Sequence, residues 1–224
     1  MRRSRLRDER STLTDERSAP TDRWGMPSAH QYRPVMSDSE PTLLVVHHTV
    51  SPALEAMLEQ VLDGTRAEGI SGVSVRVRPA LSATASDVLA AEAFVFGTPA
   101  NIGYMSVALK HFFDQVYYPC RRAGAGSAYG LFVHGNEGLE GAVRSVETVT
   151  KGMGWQRRAD HVLVRGEPSK ADLERCWELG ATLVIGIFRG VRLQGAGLAA
   201  GGLLLLLEPI DELLEVGAGH PGFF

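Results

Sequence analysis

From residue 42 onward, short apolar runs alternate with segments of helical periodicity, and this alternation constrains the fold more than any other feature. The run Thr42–Val46 is apolar and β-branched, which is typical of a buried strand. The segment after it carries an apolar stripe at helical spacing, formed by Leu54, Met57, Leu58, Val61 and Leu62. Because strands that alternate with helices pair in parallel, the pattern predicts an α/β domain with helices on both faces of a parallel sheet.

The same periodicities predict the remaining elements. We expect strands at 42–46, 73–78, 93–97, 129–133 and 161–164, and helices from 52 onward and over 87–91, 104–117, 139–153 and 169–188. The second strand alternates with period two, which indicates an edge position. Parallel sheets of this kind bind ligands at the carboxyl ends of their strands, near the point where the strand order reverses. The loops after the first, third and fourth strands are therefore the candidate functional regions.

The 224 residues divide into one predicted domain and two tails. We predict a disordered, Arg-rich tail over 1–37, a folded domain over 38–189 and an atypical apolar tail over 190–224. Residues 1–35 hold eight Arg and five acidic residues but few large apolar ones, so burial cannot offset their ordering entropy. An alternative is that translation starts at Met36, directly before the domain.

Charge, apolar runs and cysteines limit the partners that we expect. The net charge of −3 provides no general attraction to nucleic acid. The apolar run Ala196–Leu207 is shorter than the roughly 20 residues of a membrane span, and residues 1–35 contain no secretory signal. Cys120 and Cys176 have no metal-ligand or redox spacing, which favours buried thiols in a reducing compartment. We expect a cytoplasmic protein without a membrane span or a nucleic-acid partner.

The loop after the first strand has the features of a neutral anion site. Thr49 and Ser51 supply hydroxyls, and Pro52 is favourable at the first position of the helix that follows. Backbone amides near Ala53 and Leu54 and the positive end of the helix dipole suit a phosphate. The loop contains no Lys or Arg, and no Lys-Ser or Lys-Thr pair follows a glycine-rich turn, which excludes a P-loop NTPase.

Three other functions find little support in the sequence: dinucleotide binding, metal binding and phosphoacceptance. The glycine pair Gly124 and Gly126 precedes a strand and opens no helix, so it is not a dinucleotide fingerprint. His47 and His48 are adjacent at a strand end and point to opposite faces, which disfavours a shared metal ion. A phosphoacceptor receiver would need acidic residues at that strand end, where this chain has His-His-Thr.

The segment after the third strand predicts a βα loop that approaches a flat ligand. Gly97-Thr98-Pro99 leaves a buried strand, and Gly103 allows a turn with exposed backbone amides before the next helix. These residues, with Met105, Lys110, Phe112 and Asp114-Gln115, resemble the flavodoxin-like NAD(P)H:quinone oxidoreductases of the tryptophan-repressor-binding-protein type. Residues 46–57 are similar to the first loop of that family, and the resemblance covers roughly residues 42–188.

The resemblance implies a flavodoxin-like three-layer sandwich with a five-stranded parallel sheet in the order 2-1-3-4-5. It also implies bound FMN, NAD(P)H as electron donor, a quinone or similar small-molecule acceptor, and a homodimer or homotetramer. No catalytic side chain is expected, because the flavin carries the chemistry. The cofactor-binding residues that we predict are Thr49, Ser51, Pro52, Ala53, Leu54, Thr98, Pro99, Ala100, Asn101, Ile102, Gly103, Tyr104, His134, Gly135, Asn136 and Gly138.

The chain also departs from this family, which keeps other functions open. Pro52 stands where the family has glycine, and His47-His48 replaces an aromatic pair. The loop 134–141 has fewer glycines than the family's and carries Glu137 and Glu140, which we expect to face solvent. The histidine that the family has near residues 152–154 is missing. The alternatives are an electron carrier without NAD(P)H turnover and an interaction protein without flavin. Tyr104 and Trp155 are candidates for stacking on the ring, although packing in the core or at the surface is the favoured interpretation of both.

Overall fold

The computed structural model describes residues 40–69, 71–121 and 123–195. The strands are β1 (Thr42–His47), β2 (Ser74–Pro79), β3 (Ala93–Asn101), β4 (Tyr104–Met105), β5 (Ala128–Gly135), β6 (Gln156–Arg157) and β7 (Val162–Arg165). The helices are α1 (Pro52–Gly64), α2 (Ala85–Leu89), α3 (Val107–Cys120), α4 (Leu139–Met153) and α5 (Lys170–Gly195). The predicted tail over 1–37 and the run 196–207 lie outside the described residues.

The sheet has the predicted order of its five main strand positions. The order is β2-β1-β3-β5, and β6 and β7 each pair with β5 on its far side. These pairings are parallel, whereas β4 pairs with β3 in antiparallel fashion. The predicted single fifth strand is divided, because residues 158–161 separate β6 from β7. β2 lies at the sheet edge, as its alternating pattern predicted.

Alternate residues of the strands enter two separate cores. Leu43 and Val45 of β1 pack on the side of α1 and α5, while Leu44 and Val46 pack with α3 and α4 on the opposite side. All four side chains are fully buried. A strand that is buried on both faces needs the unbroken apolar run that the sequence has here.

Glycines allow α1 and α5 to approach closely. A Cβ added at Gly64 would lie 1.9 Å from the carbonyl oxygen of Trp177, and one at Gly180 would lie 2.0 Å from that of Val61. The two helices therefore contact each other through their backbones, and the position of α1 over the sheet is fixed by α5.

The segment between β3 and α3 differs from the predicted loop. β3 continues through Pro99 to Asn101, and Tyr104–Met105 is a strand rather than the start of the helix predicted over 104–117. Ile102 and Gly103 both have positive φ, 52° and 72°, and they reverse the chain into a tight hairpin. The side chain of Ser106 caps α3 by accepting from the Leu109 amide at 3.2 Å, which sets the helix start at Val107.

Candidate functional site

Sheets of this topology have a crevice at the carboxyl ends of their strands where the strand order reverses, and in this chain that point lies between β1 and β3. The chain leaves β1 toward β2 on one side and returns to β3 on the other, so the strand order reverses at β1. The loop 48–51, the hairpin after β3 and the loop 136–138 all lie at this edge. The structure therefore brings the three predicted loops to the place where α/β sheets bind ligands.

The N-terminus of α1 is open to an anion. Ser51 is the N-cap, and its Oγ accepts from the Leu54 amide at 3.3 Å. We expected the amide of Leu54 to be free, but it is occupied by this capping bond. The side chain of Leu54 is fully buried. Within the described residues, the amides of Thr49, Val50, Ser51 and Ala53 donate to no other protein group. Pro52 has no amide hydrogen to offer.

Two histidines, His47 and His48, lie beside this loop. His47 Nδ1 lies 3.0 Å from Thr49 Oγ1. Burial and the neighbouring His48 lower the pKa of His47, so its ring is neutral at pH 7. In the tautomer with hydrogen on Nδ1, His47 donates to Thr49 and leaves the Thr49 hydroxyl free to donate to a ligand. His48 Nδ1 is buried without a partner, and the His48 amide donates to the Gly97 carbonyl at 2.9 Å.

The β3–β4 hairpin forms a wall on the other side of the crevice. β1 pairs with β3 as far as His47 and Gly97, and β3 runs four residues further to Asn101, or about 13 Å at ~3.3 Å per residue. Thr98 Oγ1 donates to the Pro99 carbonyl and accepts from the Ser106 amide, both at 3.0 Å. Met105 is tied to α4, because its amide donates to Ser145 Oγ at 3.1 Å.

The β5–α4 loop supports this hairpin from behind. Pro99 pairs with His134, and a Cβ added at Gly135 would lie 3.0 Å from that of Ala100. A Cβ at Gly138 would lie 2.6 Å from the Gly103 Cα, and one at Gly141 would lie 2.0 Å from the Gly103 carbonyl oxygen. The backbone at the hairpin tip therefore rests directly on the start of α4.

Several further contacts hold the loop 136–138 in place. His134 Nε2 lies 2.8 Å from the Gly166 carbonyl. Arg165 donates to the Asn136 carbonyl at 3.4 Å and forms an ion pair with Glu140. Glu137 and Glu140 are both exposed, as predicted. The hydrogen bonds that Glu140 accepts, first from its own backbone amide and then from Arg165, lower its pKa.

Sequence reasoning missed some residues that shape the site. Ser106 could have been found, since a serine before a helical stretch is a typical N-cap. Ser145 and Arg165 gave no signal, because their partners lie 40 and 29 residues away. Trp155 is a core residue, as the favoured interpretation had it, and it cannot stack on a flavin: it is 5% exposed and its ring stacks on Phe94 at 4.2 Å. Tyr104 remains accessible at 45% exposure.

The loop after β1 and the β3–β4 hairpin carry no charged side chains, whereas the loop 136–138 carries the exposed Glu137. Residues 41–54, 79–86 and 93–109 contain no Asp, Glu, Lys or Arg. Within the described ranges, no group of three or more His, Cys, Asp and Glu side chains could hold a metal ion. The same part of the chain contains no helix that is both long and apolar enough to cross a bilayer. An anion at α1 would therefore depend on hydroxyls and backbone amides.

Comparison with known proteins identifies the type of fold. No protein-family model matches the chain. A flavodoxin of Aquifex aeolicus (strain VF5) is 36% identical over 74 residues, which are 33% of this chain and 39% of the flavodoxin. The match therefore spans less than two thirds of that relative's length.

Solved structures match a larger part of the chain. A flavodoxin from the domain Archaea superposes with a TM-score of 0.57 at 20% identity, covering 65% of this chain and 98% of its own. A flavodoxin, WrbA-like protein from Agrobacterium tumefaciens gives a TM-score of 0.53 at 19% identity, covering 67% and 99%. The chain has a flavodoxin-like fold.

Proposed function

We propose that this chain binds FMN at the carboxyl edge of the sheet and transfers electrons from NAD(P)H to a quinone or a similar small acceptor. The observation that carries the proposal is the N-terminus of α1, whose backbone amides are open at the switch point of the sheet, at the same edge as the β3–β4 hairpin. The flavodoxin of Aquifex aeolicus and the structural neighbours support it through their names and shared fold.

The phosphate would lie at the start of α1. The unpaired amides of Thr49, Ser51 and Ala53 and the two hydroxyls of this loop are its donors. The helix dipole adds about 0.3–1 kcal/mol for an anion at this place. Pro52 contributes a fixed turn rather than a donor, and Leu54 contributes the buried side chain that anchors the helix. The residues present therefore fit a phosphate that is held by neutral groups.

The ring and the ribityl chain would lie along the second and third loops. The residues that we assign to them are Thr98, Pro99, Ala100, Asn101, Gly103, Tyr104, His134, Gly135, Asn136 and Gly138. The predicted Ile102 is left out of this set, because its side chain is fully exposed at the tip of the hairpin. FMN supplies the electron chemistry when it is bound, accepting electrons from NAD(P)H and passing them to the acceptor. The protein's part is to orient the ring and to present backbone amides near Asn101–Tyr104 to its edge, where negative charge develops on reduction.

An electron carrier that docks to protein partners is the second candidate function. Carriers of this kind are steered by strong charge around the flavin. Residues 37–189 hold 17 acidic and 14 basic residues, and the charge-free stretches lie at the crevice itself. The absence of charge there favours a small acceptor over a charged protein surface.

Titration of apo-protein with FMN tests the phosphate site, with two variants of one residue. Asp and Asn cap helices about as well as Ser, so Ser51→Asp and Ser51→Asn both preserve α1. We expect Ser51→Asp to weaken FMN binding at least tenfold, or about 1.4 kcal/mol, because its carboxylate repels the phosphate. Ser51→Asn should remain within a few-fold of the wild type. Equal affinity of all three proteins would mean that the phosphate lies elsewhere.

Anaerobic addition of NADH or NADPH separates the two functions. Bleaching of the yellow holoprotein is the result expected of a reductase. A yellow protein that neither nucleotide bleaches contradicts the reductase and leaves the carrier. A wild-type protein that stays colourless with added FMN contradicts both and leaves the interaction protein without flavin.

A further inference from the structure

Ile102 occupies a backbone conformation that opposes its side chain. It and Gly103 are the two central residues of the hairpin, both with positive φ, which is the pattern of a type I′ turn. Asn-Gly is the preferred pair for this turn, and a β-branched residue in the left-handed region is strained. Of the described non-glycine residues, Ile102 alone has positive φ.

The folded chain gains nothing from the Ile102 side chain. The residue is 106% exposed, so its side chain is as accessible as in an isolated peptide. The hairpin is held by other groups: the Ser106 amide on Thr98, the Met105 amide on Ser145, and the Gly103 backbone on α4. The surrounding structure keeps Ile102 strained, although its side chain makes no stabilising contact within the chain. Such strain points to a contact with another molecule.

The neighbourhood of Ile102 shows what such a contact would be. Of the seven large apolar side chains that are exposed in the described part of the chain, five lie at this edge of the sheet: Val50, Leu81, Ile102, Tyr104 and Val107. Four of these five are more than 60% exposed. Apolar surface that is gathered around a crevice marks a binding region, whereas isolated apolar residues do not.

We propose that Ile102 is a specificity-determining residue for the electron acceptor, and that it selects an uncharged, largely apolar molecule. The inference rests on the proposed function and assigns Ile102 to the acceptor side of the site rather than to FMN. Ile102 lies beyond the last pair of the β3–β4 ladder, Asn101 with Tyr104, and its side chain is fully exposed there to an arriving acceptor. An acceptor with a charged surface gains nothing from this contact.

The variant Ile102→Asn separates strain from recognition. It creates Asn-Gly in the turn, so the hairpin is preserved and its strain is relieved. We expect the midpoint of urea unfolding to rise and the FMN dissociation constant to stay within threefold of the wild type. Ile102→Val is the matched control, since it keeps both the branched apolar side chain and the strain.

Acceptor recognition is measured on chemically reduced holoprotein, so that the result does not depend on NAD(P)H. Reoxidation rates are followed in a stopped-flow instrument against an uncharged short-chain benzoquinone and against ferricyanide. For Ile102→Asn we expect the half-saturating quinone concentration to rise at least fivefold. The ferricyanide rate should be unchanged, and Ile102→Val should behave as the wild type with both acceptors.

Each other outcome overturns a stated part of the account. Unchanged quinone saturation, an equal loss with ferricyanide, or a lower unfolding midpoint overturns the inference alone. A tenfold loss of FMN affinity in Ile102→Asn makes Ile102 a flavin contact and also overturns it. Failure of the wild type to bind FMN overturns the proposed function, and the inference fails with it.

Discussion

The two helices that cover one face of the sheet begin in nearly the same way but leave their N-termini in opposite states. α1 starts with Ser51-Pro52-Ala53-Leu54, and α5 starts from Ser169-Lys170-Ala171-Asp172. Each follows a parallel strand at the carboxyl edge, and each has a serine in the capping position. The third residue after the serine is apolar in α1 and acidic in α5.

This one difference decides whether the helix start is available to a ligand. In α5, Asp172 accepts from the amide and the hydroxyl of Ser169 at 2.9 and 2.7 Å, and it also pairs with Arg175. The carboxylate therefore takes the place that an anion would use. In α1 the residue at this position is Leu54, which is buried, and the Ser51 hydroxyl hydrogen remains free. α1 also has an acidic residue in its first turn, Glu55, but among the described residues its exposed carboxylate accepts no hydrogen bond from these amides, so they remain available to an anion.

The largest expected effect concerns the contact that holds the two helices together. Gly180→Ala places a methyl group 2.0 Å from the Val61 carbonyl oxygen, and we expect a loss of about 3 kcal/mol in the free energy of urea unfolding. Gly186→Ala on the same helix is the control, because a Cβ there meets nothing within 4 Å. That variant should gain up to about 1 kcal/mol from helix propensity. Equal effects would show that α1 is not fixed by α5.

An intermediate effect is expected from removing the carboxylate that closes α5. The Ser169 hydroxyl and amide, followed by Arg175, lower the pKa of Asp172. The stability from this charge is therefore present above the unfolded-state pKa of about 3.9 and is lost as pH falls through the folded-state value. Asp172→Asn should cost about 1 kcal/mol at pH 7 by urea unfolding, a difference that shrinks below about pH 4.

A matched variant on the same helix checks this assignment. Glu174 is exposed and lies 3.8 Å from Lys170. Glu174→Gln should change the free energy of unfolding by less than about 0.5 kcal/mol at any pH, because exposed ion pairs contribute little. If Glu174→Gln lost as much free energy of unfolding as Asp172→Asn, the effect of Asp172 would come from net charge and not from the capping hydrogen bonds.

A smaller effect than that of Asp172→Asn is expected at the open start of α1. Ser51 makes one capping bond, of 3.3 Å, and Leu54 cannot accept a hydrogen bond from the Ser51 amide as Asp172 does from that of Ser169. Ser51→Ala should therefore cost only about 0.5 kcal/mol, the low end of the range for serine caps, when measured by urea unfolding. A cost above that of Ser169→Ala would mean that the α1 start is structural rather than open for a ligand.

The sequence was sufficient for the fold and for the open end of α1. Apolar runs that are buried on both faces, such as 42–46, have few alternatives, and α4 was predicted with its observed ends at Leu139 and Met153. Ser51 and Pro52 are local signals, since a cap and a fixed φ act within one turn. Helix starts and buried strands could therefore be predicted because their causes lie close together in the chain.

The opposite wall could not be predicted, because its causes lie far apart. Pro99 and Gly103 suggested a loop, yet pairing with β5 carries β3 past Pro99, and contacts with Gly138, Gly141 and Ser145 fix the hairpin. Ile102 at positive φ contradicts its own local preference, so the turn that Gly103 indicated could not be extended to Ile102 from the sequence. Trp155 stacks on Phe94, which lies 61 positions earlier in the chain, and no local sequence signal identifies this partner.

The central claim is that the open start of α1 holds the phosphate of FMN, and a comparison of FMN with riboflavin tests it most directly. Both flavins are titrated into the same apo-protein by fluorescence quenching, and they differ only in the phosphate. We predict that FMN binds at least tenfold more tightly than riboflavin, a difference of about 1.4 kcal/mol. Equal dissociation constants would contradict the account, because the helix start would then contribute nothing to binding.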